Sequence, residues 1–196
     1  MSDKIALVTG GGKRLGAKIA RALAEDGWHV IIHYNSSATE ARAIEAAIRK
    51  SGGSASTVQF DLRDSTGVAA FADGLGRIDL LVNSASVFEQ DRPETVEAAA
   101  LEQALRVNLM APVLLGSAMA QAHETRASGC IINLLDQKLF NLNPDFFSYT
   151  LAKHALLSAT TTMAMALAPR VRVNGIAPGL TLPSGQQSEV EFERAH

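Results

Sequence analysis

The sequence predicts an α/β protein in which a doubly wound parallel sheet carries helices on both faces, giving three layers. Strand-like and helix-like segments alternate along the 196 residues, the strand-like segments are continuous apolar runs, and a glycine-rich turn follows the first of them. Apolar, β-branched runs suit strands that are covered on both sides. The composition, 47% hydrophobic and 19% charged, fits a single domain over residues 1–196.

The strands and the first helix follow from local patterns. Between the first two strands, Leu15, Ile19 and Leu23 recur at four-residue spacing, which places apolar side chains on one face of a helix. Gly27 then supplies a helix stop. The strands are predicted at residues 4–9, 28–33, 56–61, 78–83, 130–135 and 171–174.

A second helix is predicted over residues 38–50, because Ser37 and Glu40 have the spacing of a capping box. Ser37 would accept a hydrogen bond from a first-turn amide, and Glu40 would reach back to the start of the helix. The polar tail at about 180–196 is expected to be a substrate loop. Further helices are predicted near 65–75, from about 94 to 123, and from about 148 to 168, where Pro169 stops the last one.

Charge and composition exclude several classes of partner. The formal net charge is -2, so no global field favours nucleic acid or an anionic membrane. The sequence shows no basic segment followed by a long apolar stretch at its N-terminus and no run of about 18 apolar residues. The histidines have no metal-ligand spacing with an acid or with Cys130, so no metal is expected. A cytoplasmic protein without nucleic-acid or membrane partners is therefore expected.

The glycine-rich turn predicts a Rossmann-type dinucleotide site. Residues 9–16 read TGGGKRLG and join the first strand to the first helix. Glycines let the backbone turn sharply and approach a ligand, and the free amides of a helix N-terminus favour a phosphate. A turn without a ligand is the alternative interpretation.

The end of the second strand favours NADPH over NADH. It reads His33, Tyr34, Asn35 and Ser36, and it lacks the acid that usually holds the ribose 2′-hydroxyl of NAD. Lys13 and Arg14 instead place two cations near the adenosine, where a 2′-phosphate would accept charge-assisted hydrogen bonds. Solvated surface cations are the alternative.

Tyr149 and Lys153 form the candidate proton-donating pair. They lie four residues apart near the start of a predicted helix and so share one face. An ammonium group at ~4 Å in an effective dielectric of ~20 interacts by roughly 4 kcal/mol. Such a pair is expected to lower the tyrosine pKa and to make the phenol a proton donor near neutral pH. An ordinary surface pair is the alternative.

Together with the segment VRVNGIAPG, these features resemble the short-chain dehydrogenase/reductase family over essentially the whole chain. Tyr149 and Lys153 match its Tyr-x-x-x-Lys motif, residues 83–86 resemble its Asn-Asn-Ala-Gly, and Asn108 matches its helix asparagine. The resemblance implies that Tyr149 protonates the substrate, that Lys153 holds the ribose and lowers the tyrosine pKa, and that Asn108 orders a proton-relay water. The cofactor supplies the hydride.

The same resemblance implies a set of cofactor contacts and an assembly. Family members usually carry a seventh strand, and the residues after Asn174 hold no convincing one, so the sheet is expected to lack its usual last strand. A homotetramer is implied as well. The implied NADPH/NADP⁺ contacts are Gly10, Lys13, Arg14, Leu15, Gly16, His33, Tyr34, Asn35, Ser36, Asp61, Leu62, Asn83, Ala85, Ser86, Tyr149, Lys153, Pro178 and Gly179.

Three departures from the family pattern narrow the substrate. Arg14 replaces a middle glycine, Ser86 replaces the last glycine of the strand-four motif, and Asp136 stands 13 residues before Tyr149, where a serine is usual. An ionised carboxylate would repel the alkoxide that forms when a ketone is reduced. The nitrogen of a ring C=N bond must instead gain a proton, which a carboxyl beside a tyrosine can help to relay.

Pteridine reductases resemble the sequence at the same places, in TGGGKRLG, HYNSS, NSASVF and IINLLDQ. This resemblance implies that Phe88 stacks a pterin, that Ser86 and Arg14 contact substrate or cofactor phosphate, and that Asp136 assists Tyr149. A core position for Phe88 and a turn or capping role for Asp136 are the alternatives.

The leading hypothesis is therefore an NADPH-dependent reductase of a pterin or dihydrofolate-like C=N bond. A carbonyl reductase of the same family, such as a 3-oxoacyl thioester reductase, is the second hypothesis. A dinucleotide-sensing protein without turnover is the third.

Overall fold

A computed structural model describes residues 4–123 and 129–181. Its centre is a six-stranded sheet in the order β3-β2-β1-β4-β5-β6, and every neighbouring pair is parallel. The order reverses between β1 and β4, so a crevice opens there at the carboxyl ends of the strands. The strands are β1 Ile5–Val8, β2 His29–Tyr34, β3 Ser54–Gln59, β4 Leu80–Asn83, β5 Gly129–Leu134 and β6 Val171–Ile176.

Helices cover both faces of the sheet, because successive strand residues point to opposite sides. Ala6 and Val8 pack with the buried residues of α1 and α2, whereas Leu7 packs with those of α3 and α5. The three-layer α/β fold predicted from the sequence is confirmed. The α-helices are α1 Arg14–Glu25, α2 Ala38–Lys50, α3 Val68–Leu75, α4 Ala98–Leu105, α5 Ala111–Ala122 and α6 Phe147–Leu167.

The long helical region predicted at about 94–123 differs from the prediction in two ways. It begins at Ala98, because a turn precedes it in which the Thr95 N–H donates to the Arg92 carbonyl at 2.9 Å. A π-helical turn, Arg106–Met110, separates α4 from α5. Such turns are rare and often mark functional sites, and this one carries Asn108.

The predicted capping box of the second helix is wrong, although the helix bounds are right. Ser37 makes no side-chain cap hydrogen bond. The Glu40 carboxylate instead lies 2.7 Å from the Lys13 ammonium group. An opposite charge on the adjacent glycine turn attracts this carboxylate more strongly than a neutral amide does.

The segment Ala98–Ala122 is long and apolar enough, by length and composition alone, to cross a membrane. Its mean hydropathy reaches 1.2, and 28% of that window is buried. In this fold it packs against α3, α6 and the sheet. A single helix of this kind is weak evidence for a membrane span. The predicted tail beyond residue 181 and the predicted absence of a last strand concern residues outside the described ranges.

Candidate active site

A cleft of about 820 Å³ lies at the carboxyl ends of the strands. Every residue predicted to contact cofactor or substrate lines this cleft except Asn83, and the predicted catalytic residue Asn108 also lies outside its lining. The cleft has two parts. The glycine-turn end comprises Gly10, Lys13, Arg14, Asp61 and Arg63, and the tyrosine end comprises Phe88, Asp136, Tyr149 and Lys153.

The glycine turn is shaped as a cradle that a larger side chain would fill. Gly10 has φ +64°, and a Cβ atom there would lie 2.9 Å from the Ala85 Cα. A Cβ atom on Gly16 would clash with the Gly10 carbonyl. The first turn of α1 leaves its amides without helical acceptors, so the cradle fits a phosphate group of a dinucleotide.

His33 holds this turn from behind. The Gly10 N–H donates to its Nδ1 at 3.2 Å, and its Nε2 donates to the Phe60 carbonyl at 3.0 Å. Burial lowers the pKa of His33 to about 4, so the ring is neutral at physiological pH. A neutral ring with the proton on Nε2 satisfies both bonds, and the second strand thereby fixes the position of the turn.

Lys13 and Arg63 at the glycine-turn end are held in ion pairs. Lys13 pairs with Glu40 at 2.7 Å, and both side chains are about half exposed. Arg63 binds both carboxylate oxygens of Asp61, and its hydrogen bonds hold the pKa of Asp61 below its ordinary value. Arg14 has φ +47°, a left-handed conformation that explains why glycine suits this position in the family.

The tyrosine end centres on a hydrogen bond between Tyr149 and Asp136. The Tyr149 hydroxyl donates to Asp136 Oδ2 at 2.6 Å, and the Lys138 N–H donates to Asp136 Oδ1 at 2.8 Å. One oxygen of the carboxylate therefore caps the short 3₁₀ turn Gln137–Leu139, and the other contacts the phenol. The turn-capping role and the position beside Tyr149, which are alternatives in the sequence, are therefore both occupied, each by a different oxygen of the Asp136 carboxylate.

The expected lowering of the Tyr149 pKa is wrong in direction. Burial raises the pKa of Tyr149, and the hydrogen bond and charge of Asp136 raise it further. The Lys153 Nζ lies 5.6 Å from the centroid of the tyrosine ring and donates to the Leu134 carbonyl at 2.5 Å. Burial lowers the pKa of Lys153 itself to about 8. The carboxylate, not the ammonium group, is the charge that dominates the phenol.

Phe88 is 38% exposed and is not a core residue. Its ring stacks on Phe146, with centroids 4.0 Å apart, and lies nearly perpendicular to the ring of Tyr149, with centroids 4.7 Å apart. One face of Phe88 is therefore already covered, and a flat ligand would have to use the other. The nearby Ser86 is exposed and lines the cleft, with its hydroxyl donating to the Val87 carbonyl at 3.4 Å.

Asn83 and Asn108 do not line the cleft, but their hydrogen bonds hold the segments that do. The Asn108 amide donates to the Val87 carbonyl and accepts from the Val87 N–H, both at 2.8 Å. Asn83 donates to Asn133, which in turn donates to Thr160 of α6. The side chain of Asn108 is thus occupied in holding the loop after β4, and the water-ordering role implied for it stays a prediction.

Comparison with known proteins identifies the family. The family model for short chain dehydrogenases matches residues 4–194. The chain belongs to this family. It is an oxidoreductase of the short-chain dehydrogenase class.

Three relatives of this short-chain dehydrogenase bear on its cofactor and substrate. The structure of FolM alternative dihydrofolate reductase 1 from Brucella canis, complexed with NADP, is 45% identical with a TM-score of 0.92, over 99% of this chain and 78% of that one. Pteridine reductase 1 of Leishmania tarentolae is 34% identical over 91% of this chain and 76% of that protein. A 3-oxoacyl-[acyl-carrier-protein] reductase of Synechocystis is 32% identical over 91% and 74%. These matches confirm the predicted family and its nicotinamide dinucleotide cofactor.

Sequence reasoning missed several residues that this short-chain dehydrogenase places in or behind the cleft. Arg63 lines it, and its signal was a cation two residues after the predicted adenine contact Asp61. The stacking of Phe146 on Phe88 and the bonds from Ser148 to Asp91 join distant segments, and the sequence carries no local pattern for such contacts. Other lining residues not predicted are Ser37, Ser84, Val87, Gln103, Val107, Leu134 and Leu135. Leu180 and Thr181, at the start of the predicted substrate loop, also line the cleft.

Proposed function

We propose that this short-chain dehydrogenase uses NADPH to reduce the C=N bond of a pterin or dihydrofolate-like substrate, with Tyr149 as proton donor. The observation that carries the proposal is the 2.6 Å hydrogen bond from the Tyr149 hydroxyl to Asp136. It joins the proposed proton donor to a carboxyl group at the position where carbonyl reductases of the family usually have a serine.

NADPH fits the cleft on the evidence of the glycine cradle. The turn at Gly10 and Gly16 would hold a phosphate, Lys13 and Arg14 would contact the 2′-phosphate, and Lys153 would hold the nicotinamide ribose. When bound, the cofactor supplies the hydride. The roles of these side chains rest on their positions in the cleft and on the family resemblance.

The proton step favours a ring nitrogen over a carbonyl oxygen. Because its pKa is raised, Tyr149 keeps its proton until a basic atom approaches. A nitrogen that gains a proton and ends neutral is compatible with a carboxylate 2.6 Å from the phenol. A developing alkoxide in the same place would be repelled by that carboxylate. The Tyr149 phenolate left by this transfer regains a proton from solvent, and Asp136 is placed to relay that proton to it.

Phe88 supplies an aromatic surface beside Tyr149 for a flat heterocycle. The two rings are nearly perpendicular, with centroids 4.7 Å apart, and Phe88 lines the cleft. Offset stacking on such a ring is favourable for a flat aromatic ligand. The similarity to a dihydrofolate reductase and to a pteridine reductase supports the same substrate class.

A carbonyl reductase is the second candidate, supported by the 3-oxoacyl-[acyl-carrier-protein] reductase among the relatives. The carboxylate of Asp136 counts against it. A sensor without turnover finds no support in an arrangement that buries Lys153 and holds Tyr149 against a carboxyl group.

We also propose self-association, up to the homotetramer predicted above, because Met110, Leu114 and Leu151 expose apolar surface on the helices.

A substrate panel tests the proposal. Oxidation of NADPH and of NADH is followed at 340 nm with dihydropterins, dihydrofolate, simple ketones and a 3-oxoacyl thioester. We expect turnover with the dihydropterins or dihydrofolate, and with NADPH in preference to NADH. Turnover restricted to ketones or thioesters would establish the second candidate instead, and tight NADPH binding without any turnover would establish a sensor.

A further inference from the structure

Asp91 joins the loop that carries Phe88 to the helix that carries Tyr149. Both carboxylate oxygens of Asp91 accept from the Ser148 N–H, at 3.1 and 3.2 Å, and the Ser148 hydroxyl donates to the same carboxylate. The Asp91 carbonyl also accepts from the Phe147 N–H at 3.3 Å. The first two amides of α6 therefore find acceptors on a residue from the loop after β4.

The helix has no cap of its own, so this contact replaces one. The residue at the N-cap position, Phe146, has φ +55° and makes no side-chain cap hydrogen bond. Its apolar side chain offers no acceptor to the first-turn amides. A carboxylate at a helix N-terminus satisfies these amides and interacts favourably with the helix dipole.

The aromatic contacts at the tyrosine end depend on the same junction. Phe88 lies three residues before Asp91, and Phe146 and Tyr149 lie on either side of Ser148. Phe88 stacks on Phe146 with ring planes only 9° apart and meets Tyr149 edge-on. The hydrogen bonds accepted by the carboxylate and the carbonyl of Asp91 therefore tie together the two segments whose aromatic rings form this wall of the cleft.

We propose that Asp91 is a positioning residue that fixes the distance between Phe88 and Tyr149, and with it the width of the gap that a flat substrate enters. The nature of that substrate rests on the proposed function. The remaining ion pairs of this region, from Arg92 to Glu94 and to Asp145, join exposed side chains and hold the loop weakly. The cap is consequently the contact that sets the register between loop and helix.

Three variants separate this role from a general effect on folding. Asp91→Ala removes both acceptors of the side chain, Asp91→Asn keeps one carbonyl oxygen for the Ser148 N–H, and Glu94→Gln removes an acid of the same loop that pairs with Arg92. We expect Asp91→Ala to raise the KM for dihydropterin about 5- to 30-fold, in line with the loss of a helix cap. The KM for NADPH should change less than about two-fold, because the glycine-turn end is untouched.

Recovery by Asp91→Asn to within about three-fold of the wild type would support a hydrogen-bonding role. Glu94→Gln is expected to match the wild type. The inference is overturned if Asp91→Ala leaves the KM for dihydropterin unchanged, or if it raises the KM for NADPH to the same extent. Should Asp91→Ala fail to fold, Ser148→Ala takes its place, because it removes the hydroxyl that donates to the same carboxylate. A raised KM for dihydropterin with an unchanged KM for NADPH then supports the inference, and two unchanged KM values overturn it.

Hydrogen exchange provides a readout that does not depend on the substrate. In Asp91→Ala, but not in Glu94→Gln, the amides of Phe147 and Ser148 should exchange faster, together with the loop at residues 86–91. If the wild type reduces no pterin, the proposed function fails while this measurement still tests the junction. Unchanged exchange in Asp91→Ala would overturn the inference whatever the substrate proves to be.

Discussion

The two ends of the cleft are built from different physics. At the glycine-turn end, the ion pairs of Lys13 with Glu40 and of Arg63 with Asp61 join side chains that are a third or more exposed. At the tyrosine end, Tyr149 is 6% and Lys153 is 3% exposed. Exposed pairs are weakened by solvent and salt, whereas buried groups interact strongly and shift one another's pKa values.

This difference indicates how each end tolerates change. Charges at the glycine-turn end can be exchanged with graded effects on cofactor affinity. A change at the tyrosine end leaves a buried polar group without its partner and is expected to alter catalysis by orders of magnitude. Substitutions at the two ends should therefore differ in size and also in which kinetic constant they affect.

The largest effect is expected from Tyr149→Phe. This variant removes the proposed proton donor and leaves Asp136 Oδ2 without the hydrogen bond it accepts at 2.6 Å. Loss of a general acid lowers kcat by about 10²- to 10⁴-fold. Single-turnover kinetics with NADPH check the value, and a kcat within about ten-fold of the wild type would show that another group donates the proton.

The next effect is a loss of activity in alkali. Burial lowers the pKa of Lys153 to about 8, so kcat/KM for NADPH should fall about ten-fold per pH unit above that value as the ammonium group is lost. The stability of the folded protein should instead increase with pH in the same range. Between the folded pKa of about 8 and the ordinary lysine pKa of 10.5, the unfolded state binds more protons, so this lysine's contribution to the free energy of unfolding rises with pH.

Lys153→Arg is the matched control for the alkaline limb, since a guanidinium group stays charged throughout this range. The variant is expected to be less active than the wild type but to lack the decline above pH 8. A decline that persists in Lys153→Arg would assign it to a different group. Loss of activity accompanied by unfolding would be seen in parallel circular dichroism measurements.

A smaller effect is expected from Arg14→Gly. It removes a cation from the cleft, and the KM for NADPH should rise about ten-fold while that for NADH stays nearly constant. Thermal stability should not decrease, because glycine adopts the φ of +47° found at this position without strain. A parallel rise in both KM values would contradict a specific contact with the 2′-phosphate.

The smallest effect is expected from Glu40→Gln. Glu40 competes with a bound 2′-phosphate for Lys13, so releasing the lysine should lower the KM for NADPH about two- to five-fold. The gain should disappear when the same change is made in a Lys13→Met background, which forms a double-mutant cycle. An equal gain in both backgrounds would show that Glu40 acts through its own charge.

Local patterns predict much of the molecule but not its long-range contacts. The strand and helix order follows from apolar runs and four-residue spacing, and the second helix, Ala38–Lys50, has the bounds that were predicted. The place of Asp136 beside Tyr149 in the cleft is predicted by its spacing, 13 residues before the tyrosine. Each of these signals lies within a short segment or a fixed spacing.

The features that could not be predicted depend on competition or on distant segments. Glu40 has the right spacing to cap its own helix, yet it pairs with Lys13. The cap of α6 comes from Asp91, 57 residues before Ser148 in the chain. The direction of the Tyr149 pKa shift depends on burial and on which charge is nearer, and spacing along a helix specifies neither.

The most direct test of the account is the kcat/KM of Asp136→Asn with a dihydropterin under saturating NADPH. The asparagine oxygen can still accept from the Lys138 N–H, so the 3₁₀ turn is retained while the carboxylate is lost. The account predicts a fall of about 10²-fold or more, with activity toward ketones, if any, undiminished. Wild-type kcat/KM for the dihydropterin in Asp136→Asn would contradict it.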